Sequence, residues 1–447
     1  MNSPDASAKS EESPQPPPLW MWPFRRPFIT CAVLYFIYNL KSIHIRANEF
    51  DEWNQVYVLA AQQLRSGGDI YQLLAQQKHH PFTYPPFASV FAIPFTFLSQ
   101  TGSLLVWYLI NVISLSLLWI WSWQASGGQK LNVDRPNKLE LLTCGLGYIC
   151  AMRFVQGCLG HRQTDLFIGM LLVGGCLAWQ HRQDLTATLL WAFAASLKGP
   201  PMLMLGYLIW RRRPFHALAM LAIVLGLNLL PDLVHPAAHG LWLTQWYTEV
   251  LKPMRHAGAW YSDIVMNQSL AGLFRRYLGT TWQLTPDGLR VALSQNVSPH
   301  AIDMALLTCE VLLMLVTAIG FGAPFKREPV ADQPQNDSAA QLEFRLALEV
   351  SVMLVLILLF SPMSSKPHFC TLILPGFCVA RLAVRDRKLS AQIFLGICLL
   401  VIGLLDRLPG SLEDLPSWFG NVTWGSIALM IACLIALRCR SATNATV

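Results

Sequence analysis

The sequence predicts an all-α integral membrane protein, a bundle of about twelve transmembrane helices with amphipathic interfacial helices in its first outer loop. Hydrophobic residues make up 53% of the 447 residues and charged residues 13%, whereas soluble domains carry about 25% charged residues. The mean hydropathy is +0.39, and many apolar runs approach or reach the ~17–25 residues with which a helix crosses a bilayer. Alternation with a period of two residues is absent, which argues against a membrane β-barrel.

Twelve apolar segments are predicted to cross the membrane. They lie near residues 27–45, 84–99, 103–123, 139–156, 164–180, 185–210, 214–233, 302–323, 343–360, 369–384, 391–407 and 419–437. An even number of spans places both termini on the same side of the membrane.

Basic residues cluster beside the ends of the apolar runs, as in PFRRP, WRRRP and PFKRE. Because cytoplasmic loops carry an excess of Lys and Arg, we attribute the net charge of +7 to topology, and nucleic acid is not an expected partner. Arg25 and Arg26 then place both termini in the cytoplasm of a multi-pass protein of the cell (inner) membrane. The expected organisation is a disordered cytoplasmic tail (1–24), a transmembrane module (25–323) with outer loops 46–83 and 234–301, a cytoplasmic linker (324–342) and C-terminal transmembrane helices (343–447).

The cysteine pattern does not indicate a metal site. The eleven cysteines stand singly, mostly inside apolar runs, and neither CxxC nor DxD occurs. Isolated cysteines in such runs are typical of small buried hydrophobic residues. Neither a metal nor a soluble nucleotide cofactor is therefore expected.

The first outer loop carries the acidic residues Glu49, Asp51 and Glu52 directly before a predicted amphipathic helix at 52–65. Such a helix lies along the membrane surface with its apolar face down. Two interpretations of Asp51 stay open. It is either a helix cap that accepts a backbone N–H near Asn54, or a general base that deprotonates a hydroxyl beside a lipid substrate. Glu52 and Glu49 are the alternative bases.

Several blocks after this loop resemble, in order, those of glycosyltransferase family 87, the polyprenol-phosphate-mannose-dependent mannosyltransferases within the GT-C superfamily. The blocks run from about residue 46 to 370 and read VYVLAAQQLRSGGDIY, FTYPPFASVFAIP, HRQTDLFIGMLLVGG, AASLKGPPMLMLGYLIWRRRP, MNQSLAGLFRR and LLFSPMSSKPHF. Each block alone is a weak signal, and their order and spacing together carry the resemblance.

The resemblance implies a GT-C-like membrane enzyme. It would move a hexose, mannose first among the candidates, from a polyprenyl-phosphate donor to a glycolipid, glycan or protein acceptor outside the cytoplasm, with inversion. The family's catalytic Asp lies in the first outer loop, where Asp51 is the closest match, although the family spacing places the acid nearer Asn54. The family's GQ corresponds to residues 161–163, so its glycine is lost and Gln163 is kept. Of the usual paired histidines only His368 is present.

The chemistry of an inverting transfer asks for one base and for positive charge around the departing phosphate. Lys366 and His368 lie at a predicted outer helix end, where a lipid phosphate would sit. Interfacial snorkelling of Lys366 and a structural role for His368 are the alternatives. Lys198 lies in an apolar run before Pro200–Pro201, and an intramembrane Lys is costly. It either faces a polar pocket at a broken helix or lies in a loop.

Side-chain amides suit sugar hydroxyls, so Asn267 and Gln268 in the second outer loop are substrate-binding candidates, and a helix cap is the alternative for Asn267. Gln163 and Tyr84, which stand in the resembling blocks, complete the set of candidates.

Two other functions fit the same composition. A twelve-helix transporter or lipid flippase would place its charged residues near the bilayer midplane, whereas an enzyme of this type would collect them at one outer face. The sequence favours the enzyme, except for Lys198 and Asp165, which lie in apolar runs. The other alternative is an inactive relative that binds a polyprenyl phosphate, which Asn54 at the expected position of the acid makes reasonable.

Overall fold

The structure is a computed structural model that describes residues 30, 33, 34, 37, 38, 51–71, 81–128, 137–254, 265–285, 288–293, 297–322, 336–405, 412 and 414–443. The predicted tail (1–24), Glu49, most of the predicted first span and most of the predicted linker lie outside these residues. The described part is almost entirely helical.

The first half of the chain contributes nine helices to the described part. They are α1 (Leu59–Ser66), α2 (Phe87–Ala92), α3 (Gln100–Ala125), α4 (Lys138–Ile149), α5 (Met152–His161), α6 (Asp165–Gln180), α7 (Asp184–Leu197), α8 (Leu203–Trp210) and α9 (Pro214–Val234). A π-helical turn, Trp53–Val58, leads into α1, and 3-10 turns at Ile93–Phe97 and Pro200–Met202 follow α2 and precede α8.

The second half contains α10 (Leu270–Gly279), strands β1 (Thr280–Thr285) and β2 (Gly288–Leu293), α11 (Pro299–Phe321), α12 (Asn336–Leu359), α13 (Ile373–Val384), α14 (Leu389–Cys398) and α15 (Asn421–Thr443). A 3-10 turn, Lys366–Leu372, leads into α13, and a π-helical turn, Leu399–Leu404, extends α14. Short helical segments lie at Trp242–Gln245, Trp246–Leu251, Lys252–Met254 and Leu415–Trp418.

Within the described residues, five helices are long and apolar enough to cross a membrane, and the bent pair α4–α5 makes a sixth candidate. The five are Gln100–Ala125, Pro214–Val234, Pro299–Phe321, Lys366–Val384 and Asn421–Cys439. Shorter apolar helices cover Phe87–Phe97, Asp165–Gln180, Asp184–Leu197, Pro200–Trp210 and Leu389–Leu404. The chain is therefore an α-helical, multi-pass membrane protein, while the count of twelve spans stays a prediction.

Two segments that the sequence predicted as single spans are interrupted. The predicted span 139–156 is bent by 49° between α4 and α5. The predicted span 185–210 stops at Leu197, and Lys198 is extended with φ −147° and ψ 117°. Pro200 and Pro201 explain this second break, because proline lacks the N–H that a continuous helix requires.

A helical segment is found at the predicted position 52–65, as the π-helical turn and α1. The prediction that its apolar face lies on the membrane is wrong, because Trp53, Tyr57 and Leu64 on that face are buried inside the protein. The segment ends at Gly67, which adopts a left-handed φ of 75°, a conformation that glycine reaches without a Cβ penalty. Trp53 stacks on Trp107 of α3 with 3.6 Å between ring centroids and 4° between planes. The segment is therefore packed into the bundle through its aromatic face.

A β-hairpin departs from the all-α prediction. Strands β1 and β2 pair antiparallel from Thr280–Leu293 to Thr285–Gly288. The sequence TTWQLTPDGLRVAL combines β-branched and aromatic residues with a PDG group typical of turns. The prediction of a loop at 234–301 is therefore wrong at these positions, because apolar periodicity reports on spans and not on a polar hairpin between them.

Helix α6 lies in the interior of the bundle, packed against α3 and α7. Glycines let large rings approach it, since a Cβ at Gly174 would lie 2.8 Å from the Trp121 ring. Buried Glu349 of α12 accepts hydrogen bonds from Tyr207, Arg211 and Arg345. Because a buried carboxylate needs such partners, this cluster ties α8 and α12 together.

Candidate active site

Polar side chains from four helix boundaries come together at one end of α6 and α7. Asp165 is the first residue of α6, Lys198 follows the last residue of α7, and His368 stands in the 3-10 turn before α13. Glu52 precedes the π-helical turn. Each of these groups sits where a helix begins or ends inside the bundle, because a polar side chain is more easily placed there than in mid-helix.

Asp165 is the centre of the cluster. Its Oδ1 accepts from Lys198 Nζ at 2.6 Å, and its Oδ2 lies 3.7 Å from His368 Nε2. The second distance is longer than a hydrogen bond, and Oδ2 is buried without a hydrogen-bond partner among the described residues. The pair Asp165–Lys198 therefore leaves one acceptor oxygen facing His368.

Glu52 lies beside this pair. The hydroxyl of Tyr84 donates a hydrogen bond to Glu52 Oε1, and the Tyr84 ring stacks on Tyr57 with centroids 4.5 Å apart. Burial raises the pKa of Glu52, and Tyr84, Lys198 and Gln163 oppose the rise. A carboxylate whose pKa is raised holds a proton more firmly than an ordinary exposed one, which suits a general base.

Asp51 faces a different set of partners. Its carboxylate accepts from the side-chain nitrogen of Asn54 at 2.8 Å and from the backbone nitrogen of Asn54 at 3.4 Å. Burial raises the pKa of Asp51, and the nearby Arg162 opposes this rise. Asp51 therefore makes the predicted capping contact with the backbone of Asn54.

Asn54 points away from the Asp165 cluster. Its Oδ1 accepts from Ser103 Oγ at 2.7 Å, and its side-chain nitrogen also donates to the backbone of Gln100 at 3.3 Å. Asn54 thus fastens the π-helical turn to the start of α3.

The predicted substrate-binding residues fall into three places. Glu52, Tyr84, Gln163, Lys198 and His368 are brought together around Asp165, with Tyr84 5.8 Å from Lys198 Nζ by its ring centroid. Beneath this group is a cavity of about 20 Å³ whose other walls are mainly apolar side chains of α6, α12 and the Pro200–Pro201 turn. Lys366 instead lines a separate cavity of about 270 Å³.

Asn267 and Gln268 are buried in contacts with the chain itself. Asn267 donates to the backbone oxygen of Pro362 at 3.0 Å and accepts from the backbone nitrogen of Ser364 at 3.1 Å. Gln268 donates to the backbone oxygen of Ser417 at 2.8 Å. These contacts give both amides a structural role in joining the second outer loop to the segment 361–365 and to Ser417.

Asp165 is the residue that sequence reasoning did not select. The signal was present, since an Asp and a Lys in two apolar runs are each costly alone and far less so as a pair. The sequence could not show that the pair forms, because 33 residues separate the two positions. Thr164, whose Oγ1 lies 3.1 Å from the Tyr57 hydroxyl, was missed for the same reason.

The comparison with known families covers only part of this site, because Asp51, Glu52 and His368 lie outside the matched residues. The sequence model of glycosyltransferase family 87 matches residues 82–362, which is more than half of the chain and includes Tyr84, Gln163, Asp165 and Lys198. No curated protein and no solved structure matches the chain.

Proposed function

The chain belongs to glycosyltransferase family 87 and is a membrane glycosyltransferase, and we propose that it moves a hexose, mannose first among the candidates, from a polyprenyl-phosphate donor to an acceptor, with inversion. The acceptor is a glycolipid, a glycan or a protein on the extracytoplasmic side. No soluble cofactor takes part. The family is one of enzymes, so we do not carry the transporter alternative further.

The observation that supports this proposal best is the buried cluster of Glu52, Asp165, Lys198 and His368. It combines a carboxylate of raised pKa with two basic side chains in a site shielded from water. Electrostatic stabilisation of a departing anion is strong in such a site. The carboxylate of Glu52 suits the acceptor hydroxyl, and the basic side chains of Lys198 and His368 suit the donor phosphate.

The transfer balances without a further reactant. A carboxylate takes the proton of the acceptor hydroxyl as its oxygen attacks the anomeric carbon. The bond from that carbon to the phosphate oxygen breaks, and polyprenyl phosphate leaves with both electrons. Lys198 and His368 are proposed to hold the phosphate, and the apolar walls of α6 and α12 below them suit the first isoprene units.

Asp51 and Glu52 both remain candidates for the base. Glu52 is favoured by its position, because it lies beside Lys198 while Asp51 lies beside Arg162 and caps the π-helical turn. Asp51 is favoured by the resemblance of the outer loop to that of the family.

Paired variants separate these two candidates. Glu52→Gln and Asp51→Asn keep size and remove the charge, and the variant that lacks the base should lose about 10²–10⁴-fold in transfer rate. The measurement is release of polyprenyl phosphate from a radiolabelled polyprenyl-phosphate mannose by the purified protein, with a membrane lipid extract as acceptor source. Thermal unfolding of each variant controls for folding.

The result also tests the proposed activity itself. Wild-type protein that binds the donor and releases no polyprenyl phosphate with any extract would support the inactive relative. Full transfer rates in both variants would show that neither Asp51 nor Glu52 is the base.

A further inference from the structure

A second cavity, separate from the Asp165 cluster, has a volume of about 270 Å³ and lies between α5 and the 3-10 turn that precedes α13. Its walls include the basic residues Arg153, His161 and Lys366, the acidic residue Asp414 and the apolar side chains of Phe154 and Pro367. With His161 neutral, these charged groups sum to +1. The cavity lining thus combines an excess of basic side chains with apolar ones.

The arrangement of α5 gives this cavity its shape. Arg153 and His161 stand eight residues apart with Gly157 midway, so all three share one helix face. Gly157 lines the cavity and approaches Pro367 so closely that a Cβ at this position would lie 3.2 Å from the proline ring. A side chain at residue 157 would fill the space between the two basic side chains, which glycine leaves open.

The cavity adjoins the candidate active site through two short segments. The turn Lys366–Leu372 turns Lys366 into the cavity and His368 toward Asp165. At the end of α5, His161 lines the cavity, and Gln163 lies next to Glu52. Residues that line the cavity are thus only two positions along the chain from residues that contact Asp165 or Glu52.

We propose that this cavity binds the anionic headgroup, of phosphate-ester type, of the lipid acceptor. This inference rests on the proposed function, in which Lys198 and His368 take the donor phosphate. A second set of basic side chains then serves a second anion. The volume approaches the ~300–1,000 Å³ range of small-molecule sites, which suits a headgroup, and basic side chains beside apolar ones are what an anionic lipid headgroup requires.

The test is a binding measurement that needs no turnover. Purified protein in phosphatidylcholine nanodiscs is titrated with labelled phosphatidylglycerol, as an anionic headgroup probe, and separately with labelled undecaprenyl phosphate. The double variant Arg153→Gln with Lys366→Gln should weaken phosphatidylglycerol binding about 10-fold, since two charge-assisted hydrogen bonds are lost. Its affinity for undecaprenyl phosphate should change less than about 2-fold. Lys198→Met should show the opposite pattern.

The matched control is Lys252→Gln, which removes an exposed lysine of the same predicted outer side and should leave both affinities unchanged. Lys366→Arg should keep phosphatidylglycerol binding, which separates the charge from the packing of Lys366. Thermal unfolding confirms that the double variant is folded.

Three results would overturn the inference. Unchanged phosphatidylglycerol binding in the folded double variant removes the site, and selective loss of undecaprenyl phosphate binding makes the cavity the donor site instead. Complete displacement of phosphatidylglycerol by millimolar inorganic phosphate shows that the cavity recognises the free anion and not a lipid headgroup. Absence of sugar transfer in the separate rate assay would defeat the proposed function and leave these binding results intact.

Discussion

At the scale of single residues, the properties of the site depend on which side chain donates a hydrogen bond to each carboxylate. Tyr84 donates to Glu52, while Lys198 donates to Asp165 at 2.6 Å. The two acids of the cluster therefore have different partners, although both are buried. Where environments separate two neighbouring acids in this way, each can take its own role in acid–base chemistry.

Tyr84→Phe provides a test of Glu52 through the pH profile. Burial raises the pKa of Glu52, and the Tyr84 hydrogen bond opposes that rise. A base acts in its ionised form, so activity is lost as pH falls through its pKa. Removing the hydroxyl raises this pKa further, and we expect the acid limb of kcat/KM to move to higher pH while the high-pH rate is kept better than in Glu52→Gln.

The control for this prediction is Tyr71→Phe, whose hydroxyl donates to the backbone of Tyr84 and not to a carboxylate. Its acid limb should coincide with that of the wild type. An acid limb that stays in place in Tyr84→Phe would show that Glu52 is not the ionising group that the profile reports.

Residue types were easier to predict than residue contacts. Sequence reasoning proposes Glu52 from the acidic outer loop, Lys198 from the cost of a lysine in an apolar run, and His368 as a phosphate-binding group. It proposes Tyr84 and Gln163 from the resembling blocks. Their convergence on Asp165 was not predictable, since it depends on the packing of α6, α7 and the turn before α13. The sequence predicts that Lys366 and His368 bind the same phosphate, because they are two residues apart. In the structure they lie in one 3-10 turn and line different cavities.

At the scale of elements, loops and helix ends carry the functional groups, and buried polar contacts hold them. Arg276 of α10 donates to the backbone oxygens of Asn267 and Trp418, and burial lowers its pKa to about 10. Asn267 in turn joins the segment 361–365. The second outer loop is thus joined to the segment that directly precedes the turn carrying His368.

Asn267→Ala separates the predicted substrate role from this structural one. The change leaves the buried backbone nitrogen of Ser364 without its acceptor, which costs about 1–3 kcal/mol. We expect a lower midpoint of thermal unfolding in detergent, with donor affinity kept in the folded fraction. The control is Gln283→Ala, at an exposed position of β1, which should unfold like the wild type. Lost donor affinity at unchanged stability would favour direct contact with substrate.

The positions of the long apolar helices could be predicted from the sequence, but only some of the breaks in these helices could. The prolines at 200 and 201 signalled the break after α7, but the bend between α4 and α5 has no proline at it. The hairpin of β1 and β2 was missed because apolar periodicity, which identified the helices, says little about a polar segment between spans.

At the scale of the whole molecule, the proposed function requires the Asp165 cluster to face away from the cytoplasm. The basic residues beside helix ends predict this orientation. Orientation is therefore the global property on which the donor and acceptor assignments depend.

Cysteine labelling tests this orientation. In a Cys439→Ser background, which removes the one exposed thiol among the cysteines that the structure describes, Gln283→Cys should react with a membrane-impermeant maleimide in intact cells. Lys388→Cys, at an exposed position of a predicted cytoplasmic loop, should react only after permeabilisation. The reverse pattern would invert the topology and place the cluster in the cytoplasm.

The small void under Lys198 and His368 has a kinetic meaning. At about 20 Å³ it holds little more than one water molecule, far less than a sugar ring and its phosphate. Under the proposed function, donor binding therefore requires the cavity to widen, which would need α6 and α12 to move apart or the turn that carries His368 to move. Separation of these helices toward the bilayer would then be the rate-limiting step of turnover, and membrane fluidity would affect its rate.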